Sequence, residues 1–193
     1  MSRCLPGLFI FLAACSTPDS MRPTLPTPAP ARGEAKVIVY QRVRFSRAGL
    51  FPLYEAVDDQ VKLLGFSEKD CYFEVRCSPG QHRFFTCGEG TAFIEADLAE
   101  GRTYYIQAYS EVGLLSTRLG FAPVTPGSPE MRKLDEIWPR LHCRELDPDN
   151  AGRYIARTEE ATKELRKGFE EARKDPRYLL AGDGRVEPPP TTK

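Results

Sequence analysis

Cysteine and histidine are the residues of this sequence best suited to chemistry, and both are few: six cysteines and two histidines among 193 residues. Cysteine can carry a lipid, form a disulfide, bind a metal or act as a nucleophile, and histidine is the usual acid–base group near neutral pH. The positions are Cys4, Cys15, Cys71, Cys77, Cys87, Cys143, His82 and His142. Their surroundings decide between these roles.

Cys15 follows a segment with the form of an export signal. Met1–Arg3 has one positive charge, and ten mostly apolar residues from Leu5 to Ala14 follow, too few to cross a bilayer. Leu12-Ala13-Ala14-Cys15 resembles the lipobox of bacterial lipoproteins. The resemblance implies cleavage before Cys15, a lipid on its thiol and an acylated amino terminus. Several acyl chains would anchor the protein permanently, because one chain alone holds a protein only marginally.

The residue after the cysteine bears on which membrane holds the anchor. Ser16 stands where an inner-membrane retention signal usually has Asp, so in a cell with two membranes the resemblance favours the outer membrane, facing the periplasm. The alternative is an ordinary secretory signal that happens to lie beside Cys15.

Lys+Arg and Asp+Glu are both 27, so no net charge attracts a nucleic acid, and we predict no nucleic-acid partner.

Four cysteines remain after the signal is removed and Cys15 is lipidated. An even set in an exported protein predicts two disulfides, and three connectivities are open. We prefer Cys71–Cys87 across a hairpin and Cys77–Cys143 between the sheet and the C-terminal region. The alternative is a metal site, but the C-x5-C and C-x9-C spacings do not resemble the C-x2-C pairs of zinc sites. We therefore predict no metal and no cofactor.

No pattern in the sequence indicates catalysis. His82 follows a Pro-Gly turn, where its ring is expected to cap the turn or pack on Tyr72, and His142 has no candidate partner by spacing. The sequence has no G-x-S-x-G elbow, P-loop or G-x-G-x-x-G motif. Adjacent carboxylates are usually solvated, and they do not face each other across a cleft as a glycosidase pair must. We predict that the protein is not an enzyme.

The elements that must position these residues fall into a central β region and two flanks. Residues 35–124 contain seven or eight short runs of β character, such as the alternating CYFEVRC of Cys71–Cys77, which predict a small antiparallel β-sandwich. Residues 15–34 are rich in Pro and Thr and are predicted to form a disordered tether, reaching roughly 50 Å if extended.

The C-terminal flank, residues 125–181, is predicted to be helical. Ser128-Pro129-Glu130 forms an N-cap signal for a short helix over Met131–Trp138, and a longer helix follows from Asp147 to about Lys174. Its apolar residues recur at intervals typical of one helix face, so Leu165 and Phe169 are candidates for binding a partner or the sheet. Residues 182–193 are predicted to be a disordered tail.

Four motifs of the β region match a known pattern in order: Val37–Arg42, Ala56–Asp59, Tyr72–His82 and Leu98–Ile106. They resemble a family of bacterial lipoproteins named only for a domain of unknown function, with a carboxypeptidase-regulatory-like or transthyretin-like sandwich. The motif positions are expected to be structural: Tyr40, Pro79, Gly80, His82, Gly101, Tyr104 and Tyr105. Tyr104 and Tyr105 should point to opposite faces of their strand, one into the core and one as an exposed aromatic contact.

Two function classes follow from this reading. The first is a non-catalytic module, tethered to the membrane by lipid, that binds a protein or glycan partner in the cell envelope. The second is a periplasmic thiol, redox or metal-dependent enzyme that uses Cys or His. We favour the first, because no arrangement of residues supports the second.

Overall fold

Two β-sheets packed face to face make up most of the described chain, which confirms the predicted mainly β sandwich. The computed structural model describes residues 20–41, 51–57, 60–86, 92–112, 117–150 and 177–186. The six-stranded sheet contains, in spatial order, β1 (Met21–Pro23), β10 (His142–Leu146), β5 (Cys71–Cys77), β2 (Ala35–Gln41), β8 (Thr103–Val112) and β9 (Thr117–Val124). The five-stranded sheet contains β11 (Arg177–Leu179), β7 (Ala92–Leu98), β6 (Gly80–Thr86), β3 (Phe51–Val57) and β4 (Gln60–Ser67).

The region from Ala35 to Val124 contains eight of these strands, as the sequence predicts, but the sheets are mixed rather than antiparallel. β2 pairs with β8, β10 with β5 and β11 with β7, and all three pairs are parallel. The parallel neighbours come from distant parts of the chain, and consecutive strands such as β5 and β6 enter different sheets, whereas β3–β4, β6–β7 and β8–β9 are consecutive and antiparallel. A parallel pair needs such a long connection.

The central strand of the six-stranded sheet, β2, is buried on both faces. In β2, Val37 and Val39 face the core between the sheets, whereas Ile38 and Tyr40 belong to a second apolar cluster on the outer face. Helix α1 (Pro129–Ile137) covers this cluster. The cap predicted for it is confirmed, since the Ser128 side chain accepts a hydrogen bond of 3.1 Å from the Met131 backbone N–H.

The predicted tether is wrong for residues 20–34. Met21–Pro23 form β1, which pairs antiparallel with β10, and Ser20 and Met21 are buried. Farther on, the Thr27 hydroxyl and backbone N–H both donate to the Glu74 carboxylate. The segment has little apolar area of its own, but one buried Met at a sheet edge and a ladder of backbone hydrogen bonds are enough to order it.

The C-terminal flank is also more than a helical extension. It supplies β10 and β11, one edge-proximal strand for each sheet. Residues 148–150 are helical, and the remainder of the predicted long helix lies outside the described residues. Part of the predicted disordered tail is ordered, because Arg185 exchanges backbone hydrogen bonds with Thr103 and its guanidinium pairs with Asp135 at 3.0 Å.

Candidate binding groove on the five-stranded sheet

An open groove of about 260 Å³ lies on the five-stranded sheet across β6, β7 and β11. Its side chains stand in two rows fixed by the strand register. In the first row, Arg83 pairs with Glu95, and Glu95 pairs with Tyr178. In the second row, two residues farther along the strands, Gln81 pairs with Asp97, and Leu180 follows β11 beside Asp97. We call this set the polar groove: Gln81, Arg83, Glu95, Asp97, Tyr178 and Leu180.

The polar groove faces away from the core because side chains alternate along a strand. On β7, Ile94, Ala96 and Leu98 are buried in the core, so Glu95 and Asp97 must point outward. Tyr178 is 53% exposed and Leu180 is 59% exposed, whereas Leu179 between them is fully buried. The groove therefore has a rigid backbone floor and accessible side chains.

The chemistry of the polar groove suits hydrogen bonding to a polar partner. A guanidinium provides only donors, carboxylates provide only acceptors, and an amide and a phenol provide both. The half-exposed ring of Tyr178 adds an apolar face with a polar end, a combination that is enriched in binding surfaces. These groups can recognise alternating donors and acceptors, such as sugar hydroxyls or a peptide backbone.

His82 lies at one end of β6 and joins three parts of the fold. Its Nδ1 lies 2.5 Å from Glu55 Oε1 on β3, and its Nε2 lies 2.8 Å from the Ser78 carbonyl oxygen on the turn. The ring stacks on Phe84 at 5.9 Å between centroids, rather than on Tyr72. The hydrogen bond to Glu55 is the main reason that the pKa of His82 is raised above its usual value.

The Pro-Gly turn before β6 sends the chain from one sheet to the other. Gly80 has a φ of +120°, a conformation that L side chains rarely adopt. β5 pairs with β2 and β10, while β6 pairs with β3 and β7.

The hairpin expected between β5 and β6 does not exist, so the predicted Cys71–Cys87 disulfide has no hairpin to cross. Cys87 lies outside the described residues.

The predicted Cys77–Cys143 disulfide is wrong. Cys77 ends β5 on the inner face, whereas Cys143 lies on the outer face and is paired with Tyr72 near the start of β5. That separation is roughly 16 Å along the strand, at about 3.3 Å per residue, and a disulfide requires Cα atoms within about 7 Å. Cys71, Cys77 and Cys143 are free thiols.

Burial makes the three described thiols poor nucleophiles. It raises the pKa of Cys77 to about 12, with the nearby Glu55 carboxylate adding to the effect, and it raises the pKa of Cys143 to about 11. Burial also raises the pKa of the half-buried Cys71. Since the thiolate is the reactive form, these groups stay protonated at neutral pH.

The remaining motif positions have structural roles. Tyr40 is buried, Pro79 is exposed on the turn, and Gly101 has a φ of +68° where its N–H donates to the Glu34 carbonyl at 2.7 Å. The Tyr104 hydroxyl accepts from the Ala99 N–H at 2.7 Å and donates to the Ala181 carbonyl at 3.1 Å.

Tyr104 and Tyr105 do point to opposite faces, but neither is an exposed contact. Tyr104 lies in the core between the sheets, and Tyr105 lies in the cluster under α1, and both are fully buried. Trp138 covers Tyr105 edge-on, with 6.2 Å between ring centroids. The sequence alternation gives the two faces, while the cover on the second face comes from the helix.

Cys15, Leu165 and Phe169 lie outside the described residues. His142 is exposed at the start of β10 and pairs with Cys71 in the backbone register.

No protein-family model matches this sequence. No curated protein matches it either. The resemblance to the lipoprotein family therefore stays a prediction.

Among the described residues, no three His, Cys, Asp or Glu side chains lie close enough together to hold a metal ion. None of the helical segments in those ranges has the length and hydrophobicity needed to cross a membrane.

Sequence reasoning missed the polar groove. The outward residues of β6 and β7 were visible as the polar half of an alternating pattern, in Gln81, Arg83, Glu95 and Asp97. β11 gave no such signal, because it is only three residues long and follows a segment predicted to be helical. Its parallel pairing with β7 is what brings Tyr178 to the groove.

Proposed function

We propose that this chain is a lipoprotein of the bacterial envelope, anchored through Cys15, and that its β-sandwich is a non-catalytic module that binds a protein or glycan partner. The observation that carries the binding role is the polar groove. Its hydrogen-bonding side chains are held by strand register on a rigid floor, with an exposed aromatic ring at one edge. Pre-positioned groups bind with less loss of conformational entropy.

The state of the thiols supports binding over catalysis. An enzyme that uses a cysteine needs a thiol with a lowered pKa, usually near a positive charge or a helix N-terminus. Burial shifts the pKa values of Cys71, Cys77 and Cys143 in the opposite direction. His82 is engaged at both ring nitrogens, by Glu55 and by the Ser78 carbonyl oxygen.

The position of β1 limits how far the module can stand from its anchor. Only five residue steps separate Cys15 from the buried Ser20. Any chain of that length spans at most about 18 Å, at up to roughly 3.6 Å per residue. The binding module would thus act close to the membrane surface, and not at the distance that a free tether would allow.

A photo-crosslink tests the binding role directly. A photoreactive amino acid at Leu180, in the polar groove, should capture the partner in cells, and the adduct mass distinguishes a peptide from a glycan. A photoreactive residue at Val57, which is 50% exposed at the far end of β3, is the matched control. Arg83→Ala with Tyr178→Ala should abolish the adduct.

Two results would overturn the proposed binding role. One is an adduct from Val57 as strong as that from Leu180, because the capture would then not depend on the groove. The other is an adduct at Leu180 that persists when Arg83 and Tyr178 are both replaced.

A further inference from the structure

The carboxylates of Glu95 and Asp97 form the centre line of the polar groove. Both side chains leave the outer face of β7, where Asp97 is exposed and Glu95 is half-buried. They are two residues apart on the strand, so their Cα atoms lie about 7 Å apart, at roughly 3.4 Å per residue. A molecule in the groove therefore meets two groups that only accept hydrogen bonds along its middle.

The two sides of this centre line carry different chemistry. On the β11 side, Tyr178 pairs with Glu95, and its half-exposed ring starts one strand spacing away, about 4.8 Å between backbones. On the β6 side, Gln81 pairs with Asp97 and is exposed, and its amide can both donate and accept. The groove thus has acceptors in the middle, an aromatic ring on one side and an amide on the other.

A peptide strand finds no free backbone to pair with in the middle of the groove. β7 is hydrogen-bonded to β6 along one side and to β11 along the other. A peptide that extends a sheet needs an unpaired edge, and on this side of the sheet the edge is β11, which has three residues and lies beside the centre line. Recognition in the middle of the groove therefore has to use side chains.

The distribution of apolar groups in the groove also suits a carbohydrate better than a protein surface. Protein interfaces take most of their binding energy from well-packed anchors near the centre, whereas here the centre is charged, and Tyr178 and Leu180 lie at the side. A sugar ring has hydroxyl groups around its edge and C–H bonds on its faces. Its hydroxyls match the carboxylates, and its C–H face matches the tyrosine ring.

The charge of the groove decides which carbohydrates fit. Among its six residues, Arg83 is positive and Glu95 and Asp97 are negative, so one negative charge is left over. Like charges that face each other weaken a complex, which disfavours sugars that carry a carboxylate or a sulfate. Each carboxylate can accept hydrogen bonds from two hydroxyls, and adjacent hydroxyls of one neutral sugar ring supply such a pair.

We propose that the polar groove binds a neutral glycan, whose vicinal hydroxyls donate to Asp97 and Glu95 while a sugar ring stacks on Tyr178. The volume of the groove, about 260 Å³, lies just below the range of roughly 300–1,000 Å³ that is typical of pockets for drug-sized molecules. A short stretch of glycan fills it, and the rest of the glycan stays in solvent. This inference rests on the proposed binding role of the groove and narrows its partner to a glycan.

The test is a microarray of defined oligosaccharides, probed with the full chain. Neutral oligosaccharides with free vicinal hydroxyls should bind, and uronic-acid oligosaccharides should bind more weakly. Mild periodate, which cleaves vicinal diols, should remove the signal.

Two variants test the residues that make the contacts. Asp97→Asn keeps the shape of the side chain but replaces one acceptor oxygen with a donor, so it should weaken binding about tenfold or more, as expected for a hydrogen bond to a charged group. Tyr178→Ala should weaken binding by removing the stacking ring. Val57→Ala, at an exposed position at the far end of β3, is the matched control and should bind as the unmodified protein does. An unchanged midpoint of urea unfolding shows that each variant is folded.

Three results would overturn the inference: no binding to any neutral oligosaccharide, binding that survives periodate, or binding that survives Asp97→Asn. The crosslink at Leu180 separates these failures from a failure of the binding role. A peptide adduct that depends on Arg83 and Tyr178 would keep the groove as a binding site and make its partner a protein. An adduct at Leu180 no stronger than the adduct at Val57 would overturn both proposals.

Discussion

The outer faces of the two sheets differ in what covers them. The outer face of the six-stranded sheet presents Ile38, Tyr40, Tyr72 and Tyr105, and α1 with Trp138 closes over them. On the five-stranded sheet, half of the outer face is the polar groove, which is open. Strand alternation alone therefore does not decide which surface is available for binding. A face is closed where a later part of the chain, such as α1, packs on it.

Removing the cover of the six-stranded sheet should have the largest effect. Trp138 is 7% exposed and packs on Tyr72 with 4.6 Å between ring centroids. We expect Trp138→Ala to lower the free energy of unfolding by about 3–5 kcal/mol, through lost burial and a cavity, measured by urea denaturation. Arg140→Ala, exposed in the same turn, should change it by less than about 0.5 kcal/mol. A loss below about 1 kcal/mol for Trp138→Ala would show that α1 is not a necessary cover.

The edge of the six-stranded sheet gives the second prediction. Met21 is 1% exposed and belongs to the core, and its Sδ lies 3.4 Å from the Phe66 N–H. Met21→Ala should cost about 2–5 kcal/mol, whereas Leu25→Ala, 84% exposed on the same segment, should be nearly neutral. If both variants had equal, small effects in urea denaturation, Met21 would not hold its segment to the sheet. The segment would then be a free tether, and the limit on the distance from the membrane would no longer apply.

The third prediction concerns the pair that holds β6, and with it the polar groove, against β3. The pKa of His82 is raised in the folded state, chiefly by its hydrogen bond to Glu55. Protonated His82 therefore stabilises the fold; the contribution is complete below about pH 6.5, the unfolded value, and is lost as pH rises through the higher folded pKa. His82→Gln should cost on the order of 1 kcal/mol at pH 6 and less at pH 8.5.

The partner of His82 tests the same pH effect. Glu55→Gln removes the carboxylate that raises the pKa of His82, so it should reduce the same pH dependence of urea unfolding. A His82→Gln variant whose stability falls in parallel with the unmodified protein from pH 6 to pH 8.5 would contradict the assignment.

The smallest effect on stability is expected in the polar groove. Tyr178 is half exposed at the edge of the sheet, so Tyr178→Ala should change the free energy of unfolding by less than about 0.5 kcal/mol. The same variant should nevertheless weaken partner capture at Leu180. A stability loss as large as that of Trp138→Ala would make Tyr178 a structural residue and remove the contrast between the two faces.

Local signals in the sequence were enough for the parts of the fold that depend on neighbouring residues. All eight strands between Ala35 and Val124 follow from alternation and turn residues, with β5 at its predicted bounds, and the start of α1 follows from Ser128 and Pro129. The choice of sheet for each strand did not follow, because β5 and β6 separate through long-range packing.

The features that the sequence did not predict all depend on distant pairing. β1, β10 and β11 contain three to five residues each, too few to show a period, and they become strands only where a sheet edge accepts them. The polar groove needs β11, and Cys77 and Cys143 are kept apart by the register of β10 on β5, which places Cys143 beside Tyr72.

Mass spectrometry of the membrane-extracted protein, without reduction, tests the proposed anchored module most directly. We predict an amino terminus at a triacylated Cys15 and alkylatable thiols at Cys71, Cys77 and Cys143. A chain that carries no lipid, or that begins elsewhere than Cys15, would contradict the account.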